Sequence, residues 1–129
     1  MDQKRADECE VLLERVKEGS LRGAITDFMI DSIVLVMENE GKRPSEISLF
    51  LSSLLGYSTL DIYFLSLYDR IEATRHMHKF KVDFDDSTTY QAMRNLNVKQ
   101  VVSFDRDFDK ISDVERIEPE QVTDRLPTA

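Results

Sequence analysis

The chain has 129 residues, 41% of them hydrophobic and 33% charged, and its formal net charge at pH 7 is -8. This length fits one compact domain with its own core, and the composition excludes the low-hydrophobicity regime of disordered chains. The net negative charge argues against a protein that holds nucleic acid through a broad basic surface.

The sequence predicts neither a membrane span nor a disulfide framework. No apolar run approaches the roughly 20 residues that a transmembrane helix needs, and the opening segment, MDQKRADECE, is too charged for a secretory signal. The single cysteine, Cys9, cannot form an internal disulfide and lies in a predicted amphipathic helix. These features predict a soluble cytoplasmic protein without a catalytic cysteine.

The first half of the chain is predicted to alternate helices with short apolar strands. Apolar residues recur at helical spacing over residues 2–17, 27–40 and 44–55, and each of these segments is followed by a glycine. The short apolar runs at residues 23–25 and 60–65 are predicted strands.

The second half repeats this alternation. Helices are predicted over residues 66–79 and 83–96, and strands over residues 98–104 and 114–117. The first of these helices has an apolar stripe formed by Leu67, Ile71, Ala73 and Met77. Helices that alternate with short, nearly continuous apolar strands are typical of an α/β domain with a parallel sheet.

Two acidic segments lie at the ends of predicted elements. The sequence DFDD, residues 83–86, opens a helix, and SFDRDFD, residues 103–109, follows a strand. Ligands of open parallel sheets bind beyond the carboxyl ends of the strands, so Asp105 is expected in a crevice that the helix start can share.

Carboxylates held together repel, and a hard cation such as Mg²⁺ or Mn²⁺ keeps them ionised. Such a cation can activate water and neutralise a phosphodiester in the transition state.

Simpler explanations of these carboxylates stay open. Those of residues 83–86 can be an N-cap and a first turn that the helix dipole favours, and those of residues 103–109 a solvated acidic turn. Asp31 lies among apolar residues of its helix, where a carboxylate needs a partner or a metal. Alternatively, Asp31 faces solvent on the polar side of that helix, one turn after Asp27.

The chain resembles PIN domains, the fold of the VapC-type toxins, over nearly its whole length, and two segments carry the resemblance. The more specific is FKVDFDDSTTYQAMRNLNVKQVVSFDRDFDKI, residues 80–111, which resembles the family's acidic helix start, small-residue helix and strand ending in Thr or Ser, any residue, then Asp. The other is TDFMIDSIVLVME, residues 26–38, which resembles the helix that carries a Glu in the family.

The resemblance implies a three-layer α/β fold, with a central parallel sheet flanked by helices, in a single PIN-like domain over residues 1–129. Family members begin with a strand that ends in an Asp, before the first helix. This sequence begins inside that helix, so the first strand and its Asp are expected to be absent.

The resemblance also assigns the site residues. Asp86 takes the third acidic position of the family with Asp85 beside it, Asp105 takes the fourth, and Asp31 stands at the place of the Glu. The implied ligands of Mg²⁺ or Mn²⁺ are therefore Asp31, Asp85, Asp86 and Asp105. The implied catalytic residues are Asp31, Asp86 and Asp105, together with Ser103, which would orient Asp105 or the attacking water.

By this resemblance the protein is expected to be a divalent-metal-dependent endoribonuclease, the toxin of a toxin and antitoxin pair. RNA is the implied substrate, an antitoxin protein a partner, and a homodimer or higher oligomer the assembly. The competing hypothesis is a catalytically weak or inactive PIN-like binding protein that acts through a protein partner or self-association. A receiver-type phosphoacceptor domain is set aside, because its acidic pair follows a strand whereas Asp85 and Asp86 open a helix.

The densest basic stretch of the chain surrounds the helix of residues 66–79. Basic residues at a helix end are otherwise a solvated face that complements the helix dipole. The candidate contacts to an RNA backbone are Arg70, Arg75, Lys79 and Lys81, with His76 and His78 beside them.

Overall fold

The computed structural model describes residues 11–125, with side chains described as far as residue 122. These residues form two compact units. Residues 14–64 are the N-terminal unit, and residues 65–125 with residues 11–13 are the C-terminal unit. The predictions for residues 1–10, Cys9 among them, lie outside the described residues, whereas residues 11–17 are helical as predicted and are labelled α1.

The N-terminal unit contains two strands and two further helices. They are β1 (Gly23–Thr26), α2 (Asp27–Asn39), α3 (Pro44–Leu54) and β2 (Leu60–Tyr63). Local sequence sets their ends, because the Thr26 hydroxyl accepts a hydrogen bond of 3.1 Å from the backbone N–H of Met29 and so caps α2. Gly41, just beyond α2, has a φ of +82°, which glycine adopts without strain. Pro44 begins α3 with its fixed φ.

The two strands of the N-terminal unit pair in parallel, with Gly23 opposite Leu60. Thr59 immediately precedes β2. Its hydroxyl donates to the carbonyl of Val16 at 2.6 Å and lies 3.2 Å from the carbonyl of Leu21. Val16 itself is buried. The end of α1 is thereby fixed to the start of β2.

The C-terminal unit contains the two acidic segments. Its elements are α4 (Leu67–Phe80), α5 (Phe84–Leu96), β3 (Gln100–Val102), a 3₁₀ helix (Arg106–Lys110), β4 (Glu115–Ile117) and α6 (Pro119–Arg125). Ser66 and Asp83 cap the starts of α4 and α5. Both helices end at a residue in the left-handed conformation, Lys81 with φ 57° and Asn97 with φ 56°.

Helices α4 and α5 pack through a buried polar network. Asp69 accepts hydrogen bonds from the Gln91 amide at 3.1 Å and the Asn95 amide at 3.0 Å. The Gln91 carbonyl oxygen lies 2.8 Å from Nε2 of His76. Asp69, His76 and Gln91 are all buried, and polar groups of this kind are tolerated inside a protein because their hydrogen bonds replace those to water.

A small apolar core holds the 3₁₀ helix against α5. It consists of Tyr90, Phe108 and Ile111, with Phe80, Val101 and Val114 packed around it. The Tyr90 hydroxyl donates to both carboxylate oxygens of Asp113 at 2.9 Å. Strands β3 and β4 run parallel beside this core.

The predicted α/β class with parallel strands is confirmed. In the described part of the chain, β1 pairs with β2 in the N-terminal unit and β3 pairs with β4 in the C-terminal unit. The strand predicted over residues 98–104 has only three residues, Gln100–Val102. Leu67 and Ile71, predicted to lie on the core side of α4, are 74% and 52% exposed. None of the helices described between residues 11 and 125 has the length and apolar character that a membrane crossing requires.

Candidate metal centre

The first part of the candidate site is the start of α5. Asp83 precedes the helix with extended backbone, and its carboxylate accepts a hydrogen bond of 2.9 Å from the backbone N–H of Asp86. Asp85 and Asp86 then occupy the first turn, where the helix dipole favours negative charge. The simpler explanation of these carboxylates, an N-cap and a first turn, therefore holds for Asp83.

The second part is the turn that follows β3. The Ser103 hydroxyl accepts a hydrogen bond of 3.0 Å from the backbone N–H of Asp105, and Oδ1 of Asp105 accepts one of 2.9 Å from the backbone N–H of Asp107. A side chain that bonds to the backbone two residues on forms an Asx turn. This turn starts the 3₁₀ helix and brings Asp105 and Asp107 close together.

Arg116 fixes this turn from the neighbouring strand β4. Its guanidinium donates to the backbone carbonyl of Ser103 and to Oδ1 of Asp109, both at 3.0 Å. The Arg116 side chain is only 11% exposed, whereas the Asp109 side chain is 52% exposed. Arg116 is thus hydrogen-bonded to both ends of the segment that carries Asp105 and Asp107, at Ser103 and at Asp109.

The two parts meet in a cluster of three carboxylates, Asp86, Asp105 and Asp107, here called the carboxylate cluster. One oxygen from each side chain lies within 4.8 Å of one oxygen from each of the others. Asp105 is exposed, Asp107 is partly exposed and Asp86 is only 5% exposed. Oδ2 of Asp86 has no hydrogen-bond partner among the described residues.

The cluster perturbs the ionisation of its buried member. Burial, with the negative charges of Asp83, Asp105, Asp85 and Asp107, raises the pKa of Asp86 to about 7. Burial, and then the charges of Asp83 and Asp105, also raises the pKa of Asp85. A bound cation would reverse the sign of the local potential and favour the ionised carboxylates.

The composition of the cluster fits a hard divalent cation. Its three contributing side chains offer only oxygen, which Mg²⁺, Mn²⁺ and Ca²⁺ prefer to nitrogen or sulfur. The buried oxygen of Asp86 has no partner among the described residues, and a cation would supply one. The sequence predicts a metal ion as the cofactor, and the residues present fit a cofactor of that class.

The structure brings some of the predicted site residues together. Asp86 and Asp105 are in the cluster, and Asp85 is exposed beside it. Ser103 contacts Asp105 through the backbone N–H and not through the carboxylate. Asp31 is exposed on α2 and belongs to the N-terminal unit, which matches the alternative that it faces solvent.

The predicted basic residues are distributed along α4, and three of their side chains contact neighbouring groups. Arg70 donates to the carbonyl of Leu65, Arg75 lies 3.6 Å from the Glu72 carboxylate, and the Lys79 ammonium lies 5.2 Å from the centre of the Phe80 ring. Lys81 ends α4, and its carbonyl accepts a hydrogen bond of 3.3 Å from Lys110.

The prediction for one basic residue, His76, is wrong. The sequence predicts His76 beside the candidate RNA contacts, but it is buried against Tyr90 and paired with Gln91. Its helical position faces α5, so packing and not charge decides its environment.

Asp107 is the cluster residue that the sequence did not single out. It was included in the acidic turn of residues 103–109 without a ligand role. The available signal was its spacing, two residues after Asp105, because an Asp at this distance can accept the hydrogen bond that turns the chain.

Comparison of the sequence with protein-family models gives no match, and comparison with curated proteins gives none either.

Proposed function

We propose that the protein binds Mg²⁺ or Mn²⁺ through Asp86, Asp105 and Asp107 and is a metal-dependent endoribonuclease of the PIN-domain type. The observation that carries the proposal is the buried Asp86 carboxylate, which has an unpartnered oxygen and shares the cluster with two other carboxylates. A protein retains such a costly arrangement at functional sites more often than elsewhere.

The nuclease activity is supported by the chemistry of the cluster and by the resemblance of residues 80–111 to PIN domains. A cation held there would supply positive charge for the phosphodiester and would make a water molecule more acidic. The protein's own part is to hold three carboxylates at one place, with Ser103 and Arg116 fixing the turn of Asp105 and Asp107. The three-layer PIN fold, and a toxin role with an antitoxin partner, belong to the same proposal and rest on the resemblance.

The test is Mn²⁺-dependent cleavage of a mixed-sequence single-stranded RNA by the wild-type chain and by Asp105→Asn. Asparagine keeps the side-chain oxygen that accepts the Asp107 N–H, so the turn should survive while one charged ligand is lost. We expect cleavage to fall by roughly 100-fold or more, since even residues that only support a metal ligand contribute about 10- to 100-fold.

Asp109→Asn is the matched control for this test. Asp109 is exposed on the same 3₁₀ helix, lies outside the carboxylate cluster and keeps an acceptor for Arg116 after the change. It should cleave RNA like the wild type. Wild-type protein without Mn²⁺-dependent cleavage, or equal cleavage by wild type and Asp105→Asn, would overturn the proposed activity.

A second candidate, a PIN-like binding protein that self-associates, is favoured by the apolar surface of the N-terminal unit. Helices α2 and α3 contain no buried residue. Leu35 and Val36 of α2 are 63% and 56% exposed, and Leu49 of α3 is 73% exposed. Exposed apolar clusters favour association. Concentration-dependent association in analytical ultracentrifugation, together with no Mn²⁺ binding by calorimetry, would favour this candidate over the nuclease.

A further inference from the structure

Lys110 provides a positive charge at the carboxylate cluster. Its ammonium lies 3.1 Å from Oδ1 of Asp107, one of the three cluster residues. The two residues are three positions apart in the 3₁₀ helix, where side chains at this spacing lie directly above one another. The geometry of the helix therefore holds the lysine on the same side as the cluster.

A second contact positions the same ammonium. Nζ of Lys110 donates to the backbone carbonyl of Lys81 at 3.3 Å, at the end of α4. An ammonium has three N–H donors, so these two acceptors leave one donor for a further partner. The side chain is 49% exposed, and a ligand can reach it from solvent.

The charge distribution makes this lysine significant for an anionic ligand. The chain carries a net charge of -8, and five aspartates lie in residues 83–86 and 105–107. An RNA phosphate approaching them is repelled unless local positive charges compensate. A divalent cation would supply part of that compensation, and the Lys110 ammonium, which is paired with Asp107, supplies a further positive charge at the cluster.

Metal binding and the lysine contact are linked through Asp107. A cation held by Asp107 competes with the Lys110 ammonium for the same carboxylate. The existing ion pair is partly exposed on both sides, 49% and 42%, and such pairs are weak, so the ammonium is released easily. An ammonium released from Asp107 would still have its acceptor at the Lys81 carbonyl and would have donors free for a phosphate oxygen.

We propose that Lys110 is the phosphate-binding residue of the carboxylate cluster and contacts a phosphate oxygen of the RNA once a divalent cation is bound. This inference rests on the proposed function, because it places the substrate's phosphate at the same site. It adds a residue that the basic stretch of α4 does not contain.

The experiment measures binding of adenosine 5′-monophosphate to the Mn²⁺-saturated full chain by calorimetry, with adenosine as the ligand that lacks the phosphate. This probe carries one phosphate and cannot be cleaved as an RNA chain. For Lys110→Gln we expect affinity for the nucleotide to fall about tenfold, the effect of losing one hydrogen bond to a charged group, and adenosine binding to stay unchanged. Lys110→Arg should remain within about threefold of the wild type, since it retains the charge.

Lys99→Gln is the matched control, because it removes the same charge from an exposed lysine at the opposite end of β3 from Asp105. It should bind the nucleotide like the wild type. Mn²⁺ affinity of Lys110→Gln should equal or exceed that of the wild type, since a neighbouring positive charge opposes cation binding.

The outcomes separate this proposal from the proposed function. Equal nucleotide affinity of wild type and Lys110→Gln, equal losses in Lys99→Gln and Lys110→Gln, or no nucleotide binding by the Mn²⁺-saturated wild type overturns the role of Lys110 alone. No Mn²⁺ binding by the wild type overturns both proposals. Lysine-dependent nucleotide binding without RNA cleavage overturns the nuclease and leaves the phosphate site standing.

Discussion

Asp86 combines a buried carboxylate with four acidic neighbours, and its ionisation is therefore linked to folding. In the unfolded chain its pKa is near 3.8, and in the folded protein it is about 7. Between these values the folded state holds a proton that the unfolded state has released. The stabilisation from Asp86 is thus complete below pH 4 and is lost as the pH rises through 7.

Asp86→Asn should remove this dependence in metal-free protein. We expect the wild-type free energy of unfolding to decrease more steeply from pH 4 to 8 than that of the variant. At pH 8 the variant should be more stable by roughly 1–3 kcal/mol, the usual range for a change at a buried position. Urea unfolding at several pH values measures this. Parallel pH profiles for the two proteins would contradict the prediction.

Mn²⁺ should act in the opposite direction on the wild type. A carboxylate ligand must lose its proton before it binds a metal, so Mn²⁺ affinity should increase between pH 6 and 8. Excess Mn²⁺ should stabilise the wild type at pH 8 and leave Asp86→Asn unaffected, because stabilisation follows binding to the folded state.

The start of α4 shows how an element is fixed first by local sequence and then by packing. Ser66 and Asp69 form a reciprocal pair in which each side chain accepts a hydrogen bond of 3.0 Å from the other's backbone N–H. Asp69 also accepts hydrogen bonds from the side-chain amides of Gln91 and Asn95 on α5. The same carboxylate therefore caps one helix and holds it to the next.

Ser66→Ala and Asp69→Ala should separate these two roles. Ser66→Ala removes a cap and should cost about 1 kcal/mol. Asp69→Ala also removes the acceptor of the buried Gln91 amide, so we expect a loss of roughly 2–4 kcal/mol. Urea unfolding followed by circular dichroism measures both losses. Thr74→Ala is the control, because Thr74 is exposed on the same helix, and this change should alter the free energy of unfolding by less than about 0.5 kcal/mol. Equal losses for Ser66→Ala and Asp69→Ala would count against a stabilising role of the buried network.

At the scale of the whole molecule, the carboxylate cluster lies within the C-terminal unit. Asp86, Asp105 and Asp107 all belong to that unit, whereas Asp31 belongs to the N-terminal unit. If the three carboxylates suffice, Asp31→Asn should bind Mn²⁺ within about threefold of the wild type, a difference of under 1 kcal/mol. Calorimetric titration with Mn²⁺ measures this. A tenfold or greater loss would contradict the prediction that these three carboxylates suffice.

The sequence alone determined four of the helices, α2 to α5, and their ends. The spans of α2, α3, α4 and α5 were predicted to within about two residues, because helical periodicity and capping are local properties. The cap at Thr26, the left-handed Gly41 and the acidic start of α5 depend on neighbours within one turn. The acidic segments were also visible in the sequence as candidates for a metal site.

Only the tertiary structure decided which carboxylates meet and which side chains are buried. The division of the strands into two pairs, the short β3 and the burial of His76 depend on partners far away in the sequence. Asp107 enters the cluster because an Asx turn at Asp105 and the contacts of Arg116 fold the segment back toward α5. Local patterns carry little information about such contacts, since burial and strand pairing are set by residues that the sequence does not place side by side.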